Sequence, residues 1–246
     1  MKKQSDKGLT GPTSLVLADI HEFVRHVASL PDTQAKPLFV MGHSMGGGEA
    51  LHYALSTSSA LADRPPLAGL LLEAPFIELD PASEPWSITV YAGKLAAKLL
   101  PHAQMKQKLD PTYMSRSARV RQEWVDDPLC HDTGTFAGLD GMLQRSADLS
   151  RLSRAQKVSS LSTSVPCPLW FSHGTSDHVI SYPSSKRLFA VLKAPKDDKT
   201  FKAYADAYHK LHAEPDGVGE QFAKDVGEWI IAHAAKDGDA AQVGAQ

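Results

Sequence analysis

Ser44 stands in Gly42-His43-Ser44-Met45-Gly46, with an apolar run before it and a helical pattern after it. A serine hydroxyl becomes a nucleophile at neutral pH only beside a base, and the base needs an acid to orient it. Glycines two before and two after the serine allow a strand to turn sharply into a helix, which projects the hydroxyl from a strained elbow. In such an arrangement the acid and then the histidine follow in chain order, each just past a later strand. Asp177 fits the acid, two residues beyond Thr175 in the stretch His173-Gly174-Thr175-Ser176-Asp177. For the base, residue chemistry leaves both His209 and His212 open, because one loop after the run KTFKAY carries both.

Other constellations offer less. Cys130 and His131 are adjacent, which holds their side chains apart. The remaining histidines show no HExxH or comparable metal-ligand spacing. Gly46-Gly47-Gly48 is not followed by Lys-Ser or Lys-Thr, so it does not read as a phosphate loop. No metal and no cofactor is expected.

The elements that must position Ser44, Asp177 and a histidine at 209 or 212 can be traced from the pattern. A helix is expected over residues 14–30, with Leu17, Ile20, Val24 and Val27 on one face. Apolar runs at 37–41, 67–74 and 168–172 have the character of strands buried on both faces, and 199–204 is a weaker, alternating fourth. Helical patterns lie between and after them. Strands alternating with helices predict an α/β fold with a mostly parallel sheet. Residues 76–165 break the rhythm with helical patterns and no convincing strand, and read as a helical cap inserted over the sheet's carboxyl edge. The expected layout is therefore a first core part at 1–75 carrying the elbow, the cap at 76–165, and a second core part at 166–236. The last part carries the acid and histidine loops and is followed by a flexible tail at 237–246.

The 246 residues suffice for one sizeable core, with 42% hydrophobic and 22% charged residues and a net charge of -2. Lys and Arg are scattered, which argues against a nucleic-acid surface. Two cysteines, Cys130 and Cys167, read as free thiols of a reducing compartment. The polar start MKKQSDKG is unlike a secretory signal, and no run reaches the roughly 20 apolar residues of a membrane span. These features predict a cytoplasmic protein whose membrane contact, if any, is peripheral.

Four stretches, PLFVMGHSMGGGEA (37–50), LLEAP (71–75), PLWFSHGTSDHV (168–179) and YHKLHAEP (208–215), together resemble the monoacylglycerol lipases of the α/β-hydrolase superfamily, the fungal forms most closely. The resemblance implies an α/β-hydrolase fold and hydrolysis of a monoacylglycerol to glycerol and a fatty acid, without a cofactor. It implies Ser44 as nucleophile, Asp177 as acid, His209 rather than His212 as base, and the Met45 backbone N–H as an oxyanion donor. The partner is then a small lipid ester, with contact to membranes or lipid droplets through the cap. Residues 86–100 are the candidate acyl-channel lining and equally a candidate cap core. A lysophospholipase or broad carboxylesterase is the alternative within the enzyme class; a binding domain with little or no activity is the alternative outside it. Family members also carry earlier strands and an early His-Gly turn that supplies a second oxyanion donor. Against that pattern this chain reads as N-terminally truncated, with the strand at 37–41 left at the sheet edge and the product prone to self-association and weak in activity. Acyl-chain preference and oligomeric state do not follow from these residues.

Overall fold

A computed structural model describes residues 8–34, 36–83, 97–106 and 108–243. The four apolar runs form strands β1 (Phe39–His43), β2 (Gly69–Glu73), β5 (Leu169–Gly174) and β6 (Lys199–Tyr204). They make one parallel sheet in the order β1-β2-β5-β6. Every residue of β2 and β5 is buried, as their continuous apolar composition requires of central strands covered on both faces. The outer two strands are only partly covered.

The side-chain period of two divides β2 and β5 between two cores. Leu70 and Leu72 of β2, with Leu169 and Phe171 of β5, face a cluster built from α2 (Ser44–Leu55), α4 (Phe136–Ser153) and α5 (Tyr182–Val191). Leu71 and Trp170 face the opposite way, onto Phe222, Val226 and Trp229 of the last helix, α6 (Val218–Val243). Gly69 is needed for that contact, because a Cβ there would lie 2.6 Å from the Trp229 ring. Helix α1 (Thr13–Ser29) packs Leu17 and Val24 against Tyr53 of α2. The result is a sheet between helical layers, with the helices following the strands that the sequence pattern delimits.

Between β2 and β5 the chain leaves the sheet. This excursion contains helix α3 (Ala118–Asp126), capped by the Ser117 hydroxyl accepting from the Val120 N–H, and helix α4, capped likewise by Thr135. It also contains strands where the sequence pattern shows none: β3 (Gln104–Lys106) and β4 (Thr133–Thr135) form an antiparallel pair. Three-residue strands of composition QMK and TGT carry no hydrophobic alternation from which they could be read. Of the candidate channel-lining stretch, residues 86–96 lie outside the described part. Both cysteines are free; Cys167 is buried and its thiol is pushed up to about 12 by burial. Among the described residues no helix is long and apolar enough to cross a membrane.

Candidate active site

The carboxyl ends of β1, β5 and β6 bring together residues far apart in sequence. Ser44 follows β1 directly and starts α2 with φ 53°, a left-handed conformation that costs a non-glycine residue energy and marks a tight turn. What allows the turn is the close approach of Gly42 to the first turn of α2. A Cβ on Gly42 would sit 2.5 Å from the Gly46 carbonyl oxygen, and one on Gly48 would sit 2.7 Å from that of Phe76. Gly46 itself has open space where a side chain would go, so the steric demand after the serine falls on Gly48, and on Gly47 against Pro75, rather than on Gly46. The Phe76 N–H donates to the Ser44 carbonyl at 2.8 Å, tying the elbow to the segment after β2.

Asp177 lies in the turn after β5 and His209 in the loop after β6. The Ser44 hydroxyl is 2.9 Å from His209 Nε2, and His209 Nδ1 is 2.8 Å from Asp177 Oδ2. With Nδ1–H donating to the carboxylate, Nε2 is left as the acceptor for the serine hydroxyl. The carboxylate is buried and its other oxygen accepts from the Val179 and Ile180 N–H groups at 2.8 and 3.0 Å. Burial alone would raise the pKa of Asp177. The charge of His209 and hydrogen bonds from His173 and His209 outweigh it and hold the carboxyl well below the usual carboxylate range.

His212 is not in this chain of hydrogen bonds. Its Nδ1 lies 2.8 and 3.0 Å from the two carboxylate oxygens of Glu73, the buried last residue of β2. That pairing fastens the histidine loop to the sheet. His43 completes the cluster, with its ring centroid 4.7 Å from that of His209 and 5.4 Å from that of His212. Its Nε2 is 3.2 Å from the His209 carbonyl oxygen. Burial and the neighbouring His209 hold His43 down to about 4, against a smaller opposing pull from Glu73, so it is neutral at physiological pH and its Nε2–H donates.

Reasoning from sequence missed three of these partners. Glu73 stands out as the first charge in an otherwise apolar run, and that was the available signal. His173 is fully buried at the end of β5, 3.1 Å from Asp177 Oδ2 through Nε2 and 2.9 Å from the Ser185 hydroxyl through Nδ1. Only its place before the acid turn hinted at this. His43 had no signal beyond adjacency to Ser44.

Helix α2 begins at Ser44, so the Met45 N–H belongs to the first turn, whose amides have no intrahelical acceptor and carry the positive end of the helix dipole. Among the described residues no group of three or more His, Cys, Asp or Glu is arranged to hold a metal ion.

A parallel sheet with helices on both faces, a serine at a strained strand-to-helix turn, and a histidine and an aspartate after later strands define a class. The chain belongs to the α/β-hydrolase superfamily, in the family described as Serine aminopeptidase, S33, which it matches over residues 2–216. Within that class it is similar to monoglyceride lipases. It is 34% identical over 233 residues to a Schizosaccharomyces pombe protein provisionally named a monoglyceride lipase, covering 95% of this chain and 56% of that one. It is 28% identical to the human monoglyceride lipase, over 92% of this chain and 70% of the human one. The chain thus spans little more than half the length of the Schizosaccharomyces pombe relative. Among solved structures, a soluble variant of the Saccharomyces cerevisiae monoglyceride lipase in complex with a substrate analog superposes with a TM-score of 0.80 at 25% identity. The match covers 94% of this chain and 73% of the yeast one.

Proposed function

We propose that the protein hydrolyses the carboxylic ester of a monoacylglycerol, with Ser44 as nucleophile, His209 as base and Asp177 as the acid that orients it. The observation that carries this reading is the continuous hydrogen-bond chain from the Ser44 hydroxyl through His209 to Asp177. In the first half-reaction, Ser44 Oγ attacks the ester carbonyl while its proton passes to His209 Nε2. The carbonyl oxygen, now an oxyanion, accepts from the Met45 N–H. The tetrahedral intermediate collapses as the imidazolium hands its proton to the departing glycerol oxygen, leaving the acyl group on Ser44. In the second half-reaction, His209 takes a proton from water, hydroxide adds to the acyl carbonyl, and collapse releases the fatty acid and restores the serine hydroxyl.

Asp177 keeps Nδ1 protonated and stabilises the imidazolium without itself taking a proton. Its depressed pKa keeps it ionised across the working range. Similarity to the human, yeast and other monoglyceride lipases supports the substrate class, since those names denote enzymes acting on the same kind of ester. Leu99, Leu100 and Leu129 of the excursion between β2 and β5 are largely exposed, which suits contact with an aggregated lipid substrate.

The test supplies purified protein with 1-monooleoylglycerol, lysophosphatidylcholine and a short p-nitrophenyl ester, with Ser44→Ala as the control. Release of glycerol and oleate from the first substrate, absent in S44A, is expected. Preference for lysophosphatidylcholine or for the short ester replaces the substrate class. No release above the S44A background on any of the three rejects the enzymatic reading in favour of a binding domain.

A further inference from the structure

The loop carrying His209 is held from two sides. Glu73 holds it to the sheet; the other hold comes from the excursion between β2 and β5. There, residues 114–117 enter α3 and lie against the histidine loop. The Lys210 N–H donates to the Met114 carbonyl at 2.9 Å, and the Ser115 hydroxyl donates to the Ala213 carbonyl at 3.0 Å. Between them stands an ion pair. The Glu214 side chain has no solvent exposure, and both of its carboxylate oxygens accept from one residue, Oε1 from the Arg116 backbone N–H at 2.9 Å and Oε2 from Arg116 Nε at 2.7 Å.

A carboxylate buried this deeply is costly unless paired, so the pairing with Arg116 favours the conformation in which the histidine loop lies against the segment. The seat is itself stiff. Arg121 Nη1 donates to the carbonyls of Ser115 and Arg116, each at 3.1 Å. Met114 is buried with Phe76, Val179 and Ile180, the last two being the residues whose N–H groups hold Asp177. One short segment therefore touches the elbow's neighbour Phe76, the acid turn and the histidine loop.

We propose that Arg116 is a positioning residue: by pairing with Glu214 it makes seating of the inserted segment a condition for the alignment of His209 with Ser44. The inference rests on the ester-hydrolase reading. Misplacing a reacting group by about an ångström costs on the order of 100-fold in rate. Loss of the lock should therefore lower kcat and leave KM for a short soluble ester largely unchanged, because no acyl contact is altered.

The experiment compares wild type, Arg116→Lys and the double variant R116M/E214Q, which leaves no unpaired buried charge and keeps side-chain volume. Arg119→Met, at an exposed residue of α3, is the surface control. Expected is a fall in kcat of about 10- to 100-fold for R116M/E214Q, with R116K intermediate, R119M unchanged and KM within about twofold throughout. The low-field proton resonance of His209 Nδ1–H should weaken or shift in step with kcat. Turnover per folded molecule that equals wild type in R116M/E214Q, or a loss that follows only the unfolded fraction in both variants, overturns the proposal. If S44A retains activity, the reading beneath it fails instead, whatever the Arg116 variants do.

Discussion

His43 is the place to measure how tightly the histidine cluster is built. Its imidazole titrates at about 4 in the folded protein against 6.5 when unperturbed, because burial and the adjacent His209 disfavour its charged form. The folded state therefore resists a proton that the unfolded chain accepts, and between those two values the unfolded chain binds more protons. Stability accordingly falls as pH drops from above 6.5 towards 4 and has lost this contribution in full below the folded value. One pKa unit corresponds to about 1.4 kcal/mol, so the full span is worth about 3 kcal/mol, and about 2 kcal/mol of it is lost between pH 7 and pH 5. Burial also holds His52 below its ordinary value, so the comparison must be with a variant that differs only at His43. His43→Gln cannot take up a proton and keeps an amide N–H for the His209 carbonyl. Urea unfolding of both proteins at pH 7 and pH 5 should show wild type losing about 2 kcal/mol more than H43Q. Equal losses in the two proteins would mean that His43 is not held neutral, and the description of the cluster would be wrong.

The two loop histidines should separate cleanly in the same preparations. His209→Ala should lower kcat by roughly 10³-fold or more. His212→Ala should keep most of the turnover and lose about 1–3 kcal/mol of stability through the uncovered Glu73 carboxylate; an inactive H212A beside an active H209A reverses the assignment. At the sheet edge, Met41 of β1 is 46% exposed and Phe23 of α1 is 67% exposed, on either side of an apolar groove between the two elements. The chain Met1–Gln246 should self-associate on size exclusion, and Met41→Lys, which charges that edge, should shift it towards monomer. A wild-type chain that elutes as a monomer at every concentration contradicts this.

The fold was legible where one physical signal dominated. Continuous apolar runs located β1, β2 and β5, and β6 began and ended where its alternation did, at Lys199 and Tyr204. Helix α1 ended just before Pro31, a residue that has no N–H to continue the ladder. Ser44, Asp177 and a histidine in the loop after β6 were nominated by chain order and by the turns around them, and hydrogen bonds join Ser44, His209 and Asp177 in the fold. Choosing His209 over His212 took the family resemblance, because both histidines sit in one loop and only the tertiary fold sends one to Ser44 and the other to Glu73. The β3–β4 pair was invisible because its residues neither alternate nor belong to the core. Arg116 and Glu214 were equally silent: 98 positions separate them, and nothing in local composition says that an arginine in one loop closes over a glutamate in another.

On this reading the Ser44 hydroxyl is activated by His209. The rate at which a fluorophosphonate labels the protein reads this, because the probe reacts far faster with an activated serine than with an ordinary hydroxyl. Labelling at Ser44, identified on the modified peptide, is expected, with none in Ser44→Ala and a rate reduced by roughly two orders of magnitude or more in His209→Ala. Labelling of Ser44→Ala at the wild-type rate, or of His209→Ala as fast as wild type, would contradict it.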